Sequence, residues 1–234
     1  MKLYTIGDPH LSLGCDKPMD VFRGWENYLE RLERNWNAVV CPEDTVVLAG
    51  DISWGMSLEE AEADFAFLDR ELAGTKIILK GNHDYWFSTR TRVENFWAEK
   101  GFSSLKLLFN NAYVFGEYAI CGTRGWVNEQ DEPADQKVIS REAGRLRLSL
   151  EAGKALGKKP LAFLHYPPVY YIHECREILD VLLEYGVSNC YYGHIHGAGH
   201  RYAIDGVYAG IDFRLVSCDY THFRPLEVLE IHSS

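Results

Sequence analysis

Five places in this 234-residue chain combine a short apolar run with side chains that can coordinate a metal ion. The candidate ligands are Asp8, His10, Asp51, Asn82, His165, His194 and His196. Carboxylate, amide and imidazole groups form the oxygen and nitrogen ligand set that suits manganese, iron or zinc. One ion cannot use seven protein ligands and keep an open position, whereas two ions that share a carboxylate can. Paired ions roughly 3.5–4 Å apart clamp the attacking and leaving oxygens of a phosphoryl transfer.

The apolar runs that precede these side chains have the length and composition of buried β-strands. They cover residues 3–7, 46–50, 76–80, 161–164 and 190–193. In a mostly parallel sheet such strands end at one edge, and ligands bind outside the carboxyl ends of the strands. The strand tips are therefore expected to bring the candidate ligands to one place.

Helical patterns separate the first three strands. Apolar residues at spacings of three and four over residues 22–39 predict an amphipathic helix. A second helix is expected from Ser57, which opens a capping box, and a third follows a cap at Ser88 or Thr89. The resulting βαβαβ order implies right-handed crossovers and a parallel sheet.

The pattern changes near residue 107, where short apolar runs are joined by turn residues. These runs cover residues 107–109, 112–115 and 118–121. They predict hairpins and therefore antiparallel strands. A long polar helix with Pro133 near its start and a helix from about Glu174 come next, and short β segments follow Arg201.

The composition predicts one α/β domain over residues 1–234 with a substantial core. Apolar residues make up 47% of the chain, and the formal charge of −10 disfavours nucleic acid and acidic membranes as partners. Six scattered cysteines without a C-x-x-C pair are typical of reduced thiols in a cytoplasmic protein. The start does not fit a signal peptide, and no apolar stretch approaches the ~18 residues of a membrane span. A small molecule is the expected partner.

The candidate ligands fall into five motifs that occur in a fixed order. They are D-x-H at residues 8–10, G-D at residues 50–51, G-N-H-D at residues 81–84, the lone His165, and G-H-x-H at residues 193–196. Together they resemble the motifs of the calcineurin-like metallophosphoesterase superfamily and span most of the chain. The resemblance implies a four-layer α/β/β/α sandwich with two mixed β-sheets. It also implies a hydrolase of phosphate esters, a phosphomonoesterase or a phosphodiesterase of the small bacterial type.

The resemblance also implies a role for each motif residue. Two triplets would hold one metal ion each, the first being Asp8, His10 and His196 and the second Asn82, His165 and His194. Asp51 would bridge the two ions, and a bridging hydroxide would be the nucleophile. His83 would stabilise the transferring phosphoryl group and protonate the leaving oxygen, while Asp84 orients its ring and raises its pKa. The ions would be divalent or trivalent, with manganese expected first and iron and zinc as alternatives.

Several features leave alternatives open. The second motif continues as Ile-Ser-Trp-Gly at residues 52–55 rather than Asp-Arg, which disfavours the protein serine/threonine phosphatase branch. A catalytically silent scaffold of the same fold is the alternative to an enzyme, although such proteins usually lose ligands that this chain retains. Arg124, in a glycine-rich loop, fits a phosphate clamp or a surface salt bridge. Trp54, Tyr85 and Trp86 flank the ligand loops and either line the mouth of the site or pack beneath it.

Overall fold

The computed structural model describes residues 1–126 and 136–231, so Pro133 lies outside the described residues. The first half of the chain contains β1 (Lys2–Ile6), α1 (Tyr28–Asn37), β2 (Thr45–Leu48), α2 (Glu62–Arg70), β3 (Thr75–Ile78), α3 (Arg90–Lys100) and β4 (Leu105–Leu107). The second half contains β5 (Tyr113–Phe115), β6 (Tyr118–Thr123), α4 (Gln136–Ala155), β7 (Lys159–Leu164), β8 (Val169–Tyr170), β9 (His173–Glu174), α5 (Arg176–Glu184), β10 (Asn189–Tyr192), a 3₁₀ helix (Gly197–Tyr202), β11 (Gly206–Tyr208), β12 (Ile211–Leu215) and β13 (Leu226–Glu230).

The first sheet has the strand order β13-β1-β2-β3-β4. Strands β1 to β4 are parallel, as the βαβαβ pattern predicts, and β13 adds an antiparallel edge. The register pairs Ile6 with Leu48 and Leu48 with Ile78. Three strands therefore end level with one another, and the loops that follow them start at the same edge of the sheet.

The second sheet has the order β11-β12-β10-β7-β6-β5. Its four central strands are parallel, while β11 and β5 pair antiparallel at the two edges. Tyr192 at the end of β10 pairs with Leu164 on one side and Leu215 on the other. The loops after β7, β10 and β12 consequently also share one edge.

The alternation of side chains along the strands divides the interior into three apolar layers. Leu3 and Val47 of the first sheet pack with Phe163 of the second, which places one layer between the sheets. The outward residues of the first sheet pack with α1, α2 and α3, and those of the second with α4 and α5. The predicted four-layer α/β/β/α sandwich with two mixed sheets is confirmed.

The prediction of hairpins from residue 107 is wrong in its first part. Strand β4 pairs parallel with β3 at the edge of the first sheet, and the antiparallel hairpin consists of β5 and β6. The chain leaves the first sheet at Asn110, which has a left-handed backbone with φ 57°. The Asn111 side chain stabilises this turn, accepting from Phe109 N–H (2.7 Å) and donating to Leu107 O (3.2 Å).

Two helix starts also differ from the sequence pattern. The helix predicted over residues 22–39 begins only at Tyr28, because Gly24 and Asn27 have left-handed backbones with φ 91° and 52°, and Phe22 is 55% exposed. At Ser57 the chain forms a turn in which the hydroxyl accepts from Glu60 N–H (3.2 Å), and regular helix α2 starts five residues later. Both helices start late because turns precede them, and the spacing of apolar residues does not reveal these turns.

The composition predicts reduced cysteines and no membrane-spanning segment. All six cysteines, which lie in the described part of the chain, are free thiols. Within residues 1–126 and 136–231, no helix combines the length and the apolar character needed to span a bilayer.

Candidate metal centre

The loops that carry the candidate ligands meet where the two sheets touch. Gly7 N–H, after β1, donates to Val216 O, after β12, at 2.6 Å. Gly193 N–H donates to His165 O at 3.1 Å and joins the tips of β7 and β10. A Cβ on Gly193 would overlap the carboxylate of Asp8, so a glycine is needed where the two loops approach each other.

Four of the candidate ligands have left-handed backbone conformations. They are Asp8 (φ 56°), His10 (φ 47°), Asp51 (φ 51°) and His194 (φ 73°). A residue with a side chain in such a conformation costs about 1–3 kcal/mol, and these conformations cluster at functional sites. The left-handed turns direct the polar groups of these loops toward the same place.

The first ligand group consists of Asp8, His10 and His196, whose ligand atoms lie within 4.8 Å of one another. His10 Nε2 is 3.3 Å from His196 Nε2, and His196 Nε2 is 4.0 Å from Asp8 Oδ1. Two ligands of a tetrahedral zinc ion at 2.0–2.1 Å lie about 3.3–3.4 Å apart. The two imidazole nitrogens therefore have the separation of atoms that share one cation.

The second ligand group consists of Asp8, Asp51 and His165. His165 Nδ1 lies 3.0 Å from Ala49 O, and because a carbonyl only accepts, Nδ1 carries the proton. His165 Nε2 is then an acceptor, yet it lies 2.6 Å from Asn82 Oδ1 and 3.6 Å from Asp51 Oδ2. Three acceptors that face one another are the arrangement expected around a cation.

Burial sets the protonation of these groups. It raises the pKa of Asp8 to about 8 and that of Asp51 to about 6, and it lowers the pKa of His165 to about 3 and that of His10 well below its usual range. The imidazoles of His10 and His165 are therefore neutral and present lone pairs. Among the described residues, the ion-pair contacts of Asp8 and Asp51 are with histidines, and no lysine or arginine balances them. A buried donor set of this kind fits metal cations.

His194 contributes its backbone to the cluster. Its N–H donates to both oxygens of Asp8, at 3.0 and 2.9 Å. Its ring lies beside the rings of His165 and Tyr166, with centroids 5.0 and 4.1 Å away. The imidazole stands at the edge of the second ligand group, and its role as a ligand stays a prediction.

His83 lies at the mouth of the cluster with its ring half-buried. Its N–H donates to Asp51 Oδ1 at 2.8 Å. The ring centroid lies 4.5 Å from that of Trp54, and His83 Nδ1 is 3.5 Å from the Tyr85 hydroxyl. Asp51 thus fixes the backbone of His83 while the imidazole remains accessible.

The expected contact between Asp84 and the ring of His83 is not made. The fully buried Asp84 carboxylate accepts hydrogen bonds from Ile52, Ser53 and Gly81 N–H groups and from Trp86 Nε1, at 2.7–3.2 Å. Burial, followed by the nearby charge of Asp51, raises the pKa of Asp84 to about 7. Asp84 therefore joins the loop after β2 to the loop after β3, because backbone donors from both surround it.

Arg124 forms the salt bridge that was one of its two predicted roles, although its partner is buried. Arg124 Nη2 lies 3.4 Å from Oε1 of Glu142 on α4, and its side chain is 17% exposed. Its carbonyl accepts from His165 N–H (3.1 Å) and Tyr166 N–H (2.8 Å). Arg124 thus contacts the backbone of the second ligand group, while binding of phosphate stays a prediction.

The comparison with protein families decides the classification of the chain. The profile of calcineurin-like phosphoesterases matches residues 1–198. The chain belongs to the calcineurin-like phosphoesterase family. A comparison with curated proteins finds no match.

Solved structures share the fold of this chain. The protein of unknown function AQ665 from Aquifex aeolicus is similar over 97% of this chain and 95% of its own, with 14% identity and a TM-score of 0.51. A second solved structure is similar over 91% of this chain and 89% of its own, with 11% identity and a TM-score of 0.56. At these identities the likeness shows the fold alone.

The aromatic residues around the candidate metal centre mainly support its ligands. Trp86 is buried and donates to Asp84, so it packs beneath the mouth. The ring of Trp54 stacks on His10 with centroids 4.9 Å apart, and Lys17 Nζ lies 4.3 Å from the Trp54 ring. Tyr85 is 52% exposed, and its hydroxyl lies 3.5 Å from His83 Nδ1 at the mouth.

Asp219 is a site residue that sequence reasoning missed. Its Oδ1 accepts from His196 Nδ1 (2.8 Å), and its Oδ2 accepts from Gly197 N–H (2.9 Å) and lies 3.3 Å from His200 Nε2. In metalloenzymes, a carboxylate that accepts from the other ring nitrogen of a metal-binding histidine fixes the orientation of its imidazole. The signal that could have found it is the mostly apolar segment at residues 215–218, which ends in Asp219 much as the five runs end before the motifs.

Proposed function

We propose that this calcineurin-like phosphoesterase hydrolyses phosphate esters of small molecules at a centre with two metal ions. The observation that carries the proposal is the position of Asp51. Its Oδ2 lies 3.8 Å from His10 Nε2 of the first ligand group and 3.6 Å from His165 Nε2 of the second. This position supports the proposal of a carboxylate shared by two ions. Use of manganese and a cytoplasmic location belong to the same proposal.

The residues of the chain divide the work at this centre. One ion would be held by Asp8, His10 and His196 and the other by Asn82, His165 and His194, with Asp51 between them. When bound, the ions would supply positive charge and lower the pKa of a water molecule toward neutrality. Ala49 O orients the ring of His165 through Nδ1, which keeps Nε2 directed at the centre.

His83 is proposed to protonate the leaving oxygen of the ester. Its imidazole stands at the open side of the centre, and its position is fixed through the bond from its N–H to Asp51. Asp84 acts as a positioning residue in this proposal, because it joins the two loops that carry Asp51 and His83. Arg124 is proposed to bind an anionic group of the substrate.

The test is hydrolysis of p-nitrophenyl phosphate and bis(p-nitrophenyl) phosphate by metal-free protein reloaded with Mn²⁺, Fe²⁺ or Zn²⁺. We expect turnover that a chelator abolishes, and the ratio of the two rates distinguishes a monoesterase from a diesterase. His83→Ala should lower kcat at least about 10²-fold, as loss of a general acid does, with bound metal unchanged. The exposed His222→Ala is the control. Fully metal-loaded protein that hydrolyses neither these esters nor a broader panel would overturn the proposal.

A further inference from the structure

A buried carboxylate on α4 is surrounded by arginine side chains. Glu142 is fully buried, and its Oε1 lies 3.4 Å from Arg124 Nη2 and 2.7 Å from Arg145 Nη1. Arg141 Nε lies 3.8 Å from the same oxygen. The other oxygen accepts a hydrogen bond from Thr123 Oγ1 at 2.9 Å. One negative charge therefore faces three positive charges, and the cluster carries an excess of positive charge.

Lys80 brings a further positive charge to the same region. Its Nζ lies 5.2 Å from the ring centroid of Phe87, which is 5.1 Å from the ring centroid of Phe109. Arg145 Cζ lies 4.9 Å from the Phe109 ring. The two rings thus support both cations. The like charges of Arg124 and Arg145 repel Lys80, while Asp84 and Glu142 lie near it as opposite charges.

This concentration of positive charge contrasts with the net charge of −10 of the whole chain. Among the described residues Lys80 forms no ion pair, and its Nζ rests against an aromatic ring. Arg124 Nε is buried and has no hydrogen-bond acceptor within residues 1–126 and 136–231. A buried donor without a partner leaves its desolvation uncompensated. A bound anion would supply the missing acceptors.

The basic cluster borders one half of the metal centre. Arg124 O accepts the hydrogen bond from His165 N–H at 3.1 Å, and Lys80 is two residues before Asn82. We propose that Lys80, Arg124 and Arg145 bind a second phosphate group of the substrate. The preferred substrates are then small alcohols that carry two phosphate groups. Guanidinium groups match phosphate oxygens in a forked geometry that suits this role. The inference rests on the proposed function for the reaction and adds the class of substrate.

The first experiment compares fructose 1,6-bisphosphate with fructose 1-phosphate and fructose 6-phosphate as substrates of the Mn²⁺-loaded protein. We expect kcat/KM for the bisphosphate to exceed the sum for the two monophosphates about 10-fold or more, the effect of one or two charge-assisted hydrogen bonds. The bisphosphate is compared with the sum of kcat/KM for the two monophosphates because it offers two phosphate groups that can react. Arg145→Met should bring the ratio close to one.

Arg147→Met is the matched control on the same helix, because Arg147 is 44% exposed and pairs with Glu184 at 2.6 Å. The control should keep the wild-type ratio. Lys80→Met provides a second test if Arg145→Met does not fold, and it should also lower the ratio. A wild-type ratio near one, or an equal ratio in Arg145→Met and Arg147→Met, would overturn the inference.

The second experiment separates this inference from the proposed function. It measures binding of inorganic pyrophosphate to the metal-free protein in a chelating buffer by calorimetry, which needs no turnover. We expect Arg145→Met to weaken binding about 10-fold and Arg147→Met to leave it unchanged. This result in a protein that hydrolyses no ester would support the anion site while the proposed function fails. Hydrolysis without a difference between the two variants in pyrophosphate binding would reject the anion site alone.

Discussion

Replacing Asp219 with asparagine removes the carboxylate that holds His196 and keeps the size of the side chain. Asp219 Oδ1 accepts from His196 Nδ1 at 2.8 Å, and Oδ2 accepts from Gly197 N–H at 2.9 Å. The proton on Nδ1 leaves the lone pair of His196 on Nε2, which faces His10 Nε2 at 3.3 Å. Asp219 therefore sets both the tautomer and the orientation of this imidazole.

The expected magnitude follows from these two contacts. Asparagine keeps one acceptor oxygen and replaces the other with an NH₂ group, which cannot accept from either donor. A hydrogen bond to a charged group contributes about 1.5–3 kcal/mol and a neutral one about 0.5–1.5 kcal/mol. We therefore expect the variant to lose about 1–2 kcal/mol, or roughly 5–30-fold, in metal affinity. This overlaps the loss of about 10–100-fold that is typical when a metal-binding histidine loses its outer partner.

The assay is a calorimetric titration of the metal-free protein with Mn²⁺. One of two binding steps should weaken, because the contacts of Asp219 are with His196, Gly197 and His200. Asp180→Asn is the control, since Asp180 is 57% exposed and pairs with Arg176 on the surface of α5. Equal Mn²⁺ affinities for wild type and Asp219→Asn, with an unchanged Tm, would refute the reasoning.

Three other substitutions test the packing around the centre and the core. Gly193→Ala should weaken Mn²⁺ binding at least about 10-fold, because the added Cβ would overlap the buried carboxylate of Asp8. Gly144→Ala is the control, since a Cβ there meets open space and should leave Mn²⁺ binding unchanged. Equal Mn²⁺ affinities for the two variants would contradict this prediction. Burial lowers the pKa of Lys76 from 10.5 to about 8, so the unfolded chain binds more protons in that interval and wild-type stability should rise across it. Between pH 8 and pH 10.5 the free energy of unfolding in urea should rise by about 2–3 kcal/mol in the wild type, and Lys76→Met should remove most of this rise. An equal rise in the variant would argue against the prediction. Trp86→Phe should cost about 1–3 kcal/mol more in unfolding free energy than Trp97→Phe, and equal losses would count against this. The reason is that Trp86 Nε1 donates to a buried carboxylate at 2.8 Å, while Trp97 Nε1 has no partner in the described part of the chain.

The strand tips show how much of the fold is local information. A run of four or five apolar residues that ends in polar groups identifies a buried strand and its exit, because burial and polarity change within a few residues. The parallel pairing that aligns Ile6, Leu48 and Ile78 follows from the βαβαβ order. Six of the seven predicted ligands consequently have side chains that meet in the folded chain, namely Asp8, His10, Asp51, Asn82, His165 and His196.

The sequence by itself therefore determined the α/β class, the parallel pairing of the first three strands and the set of groups at the strand tips. Only the tertiary structure decided the partners of the buried carboxylates: Asp84 with backbone donors of two loops rather than the ring of His83, and Asp219 with His196. It also decided that β4 stays in the first sheet and that Arg124 meets a buried glutamate. The physical reason is that hydrophobic periodicity is a property of neighbouring residues. The donor that reaches a buried acceptor instead depends on how loops from distant parts of the chain pack together.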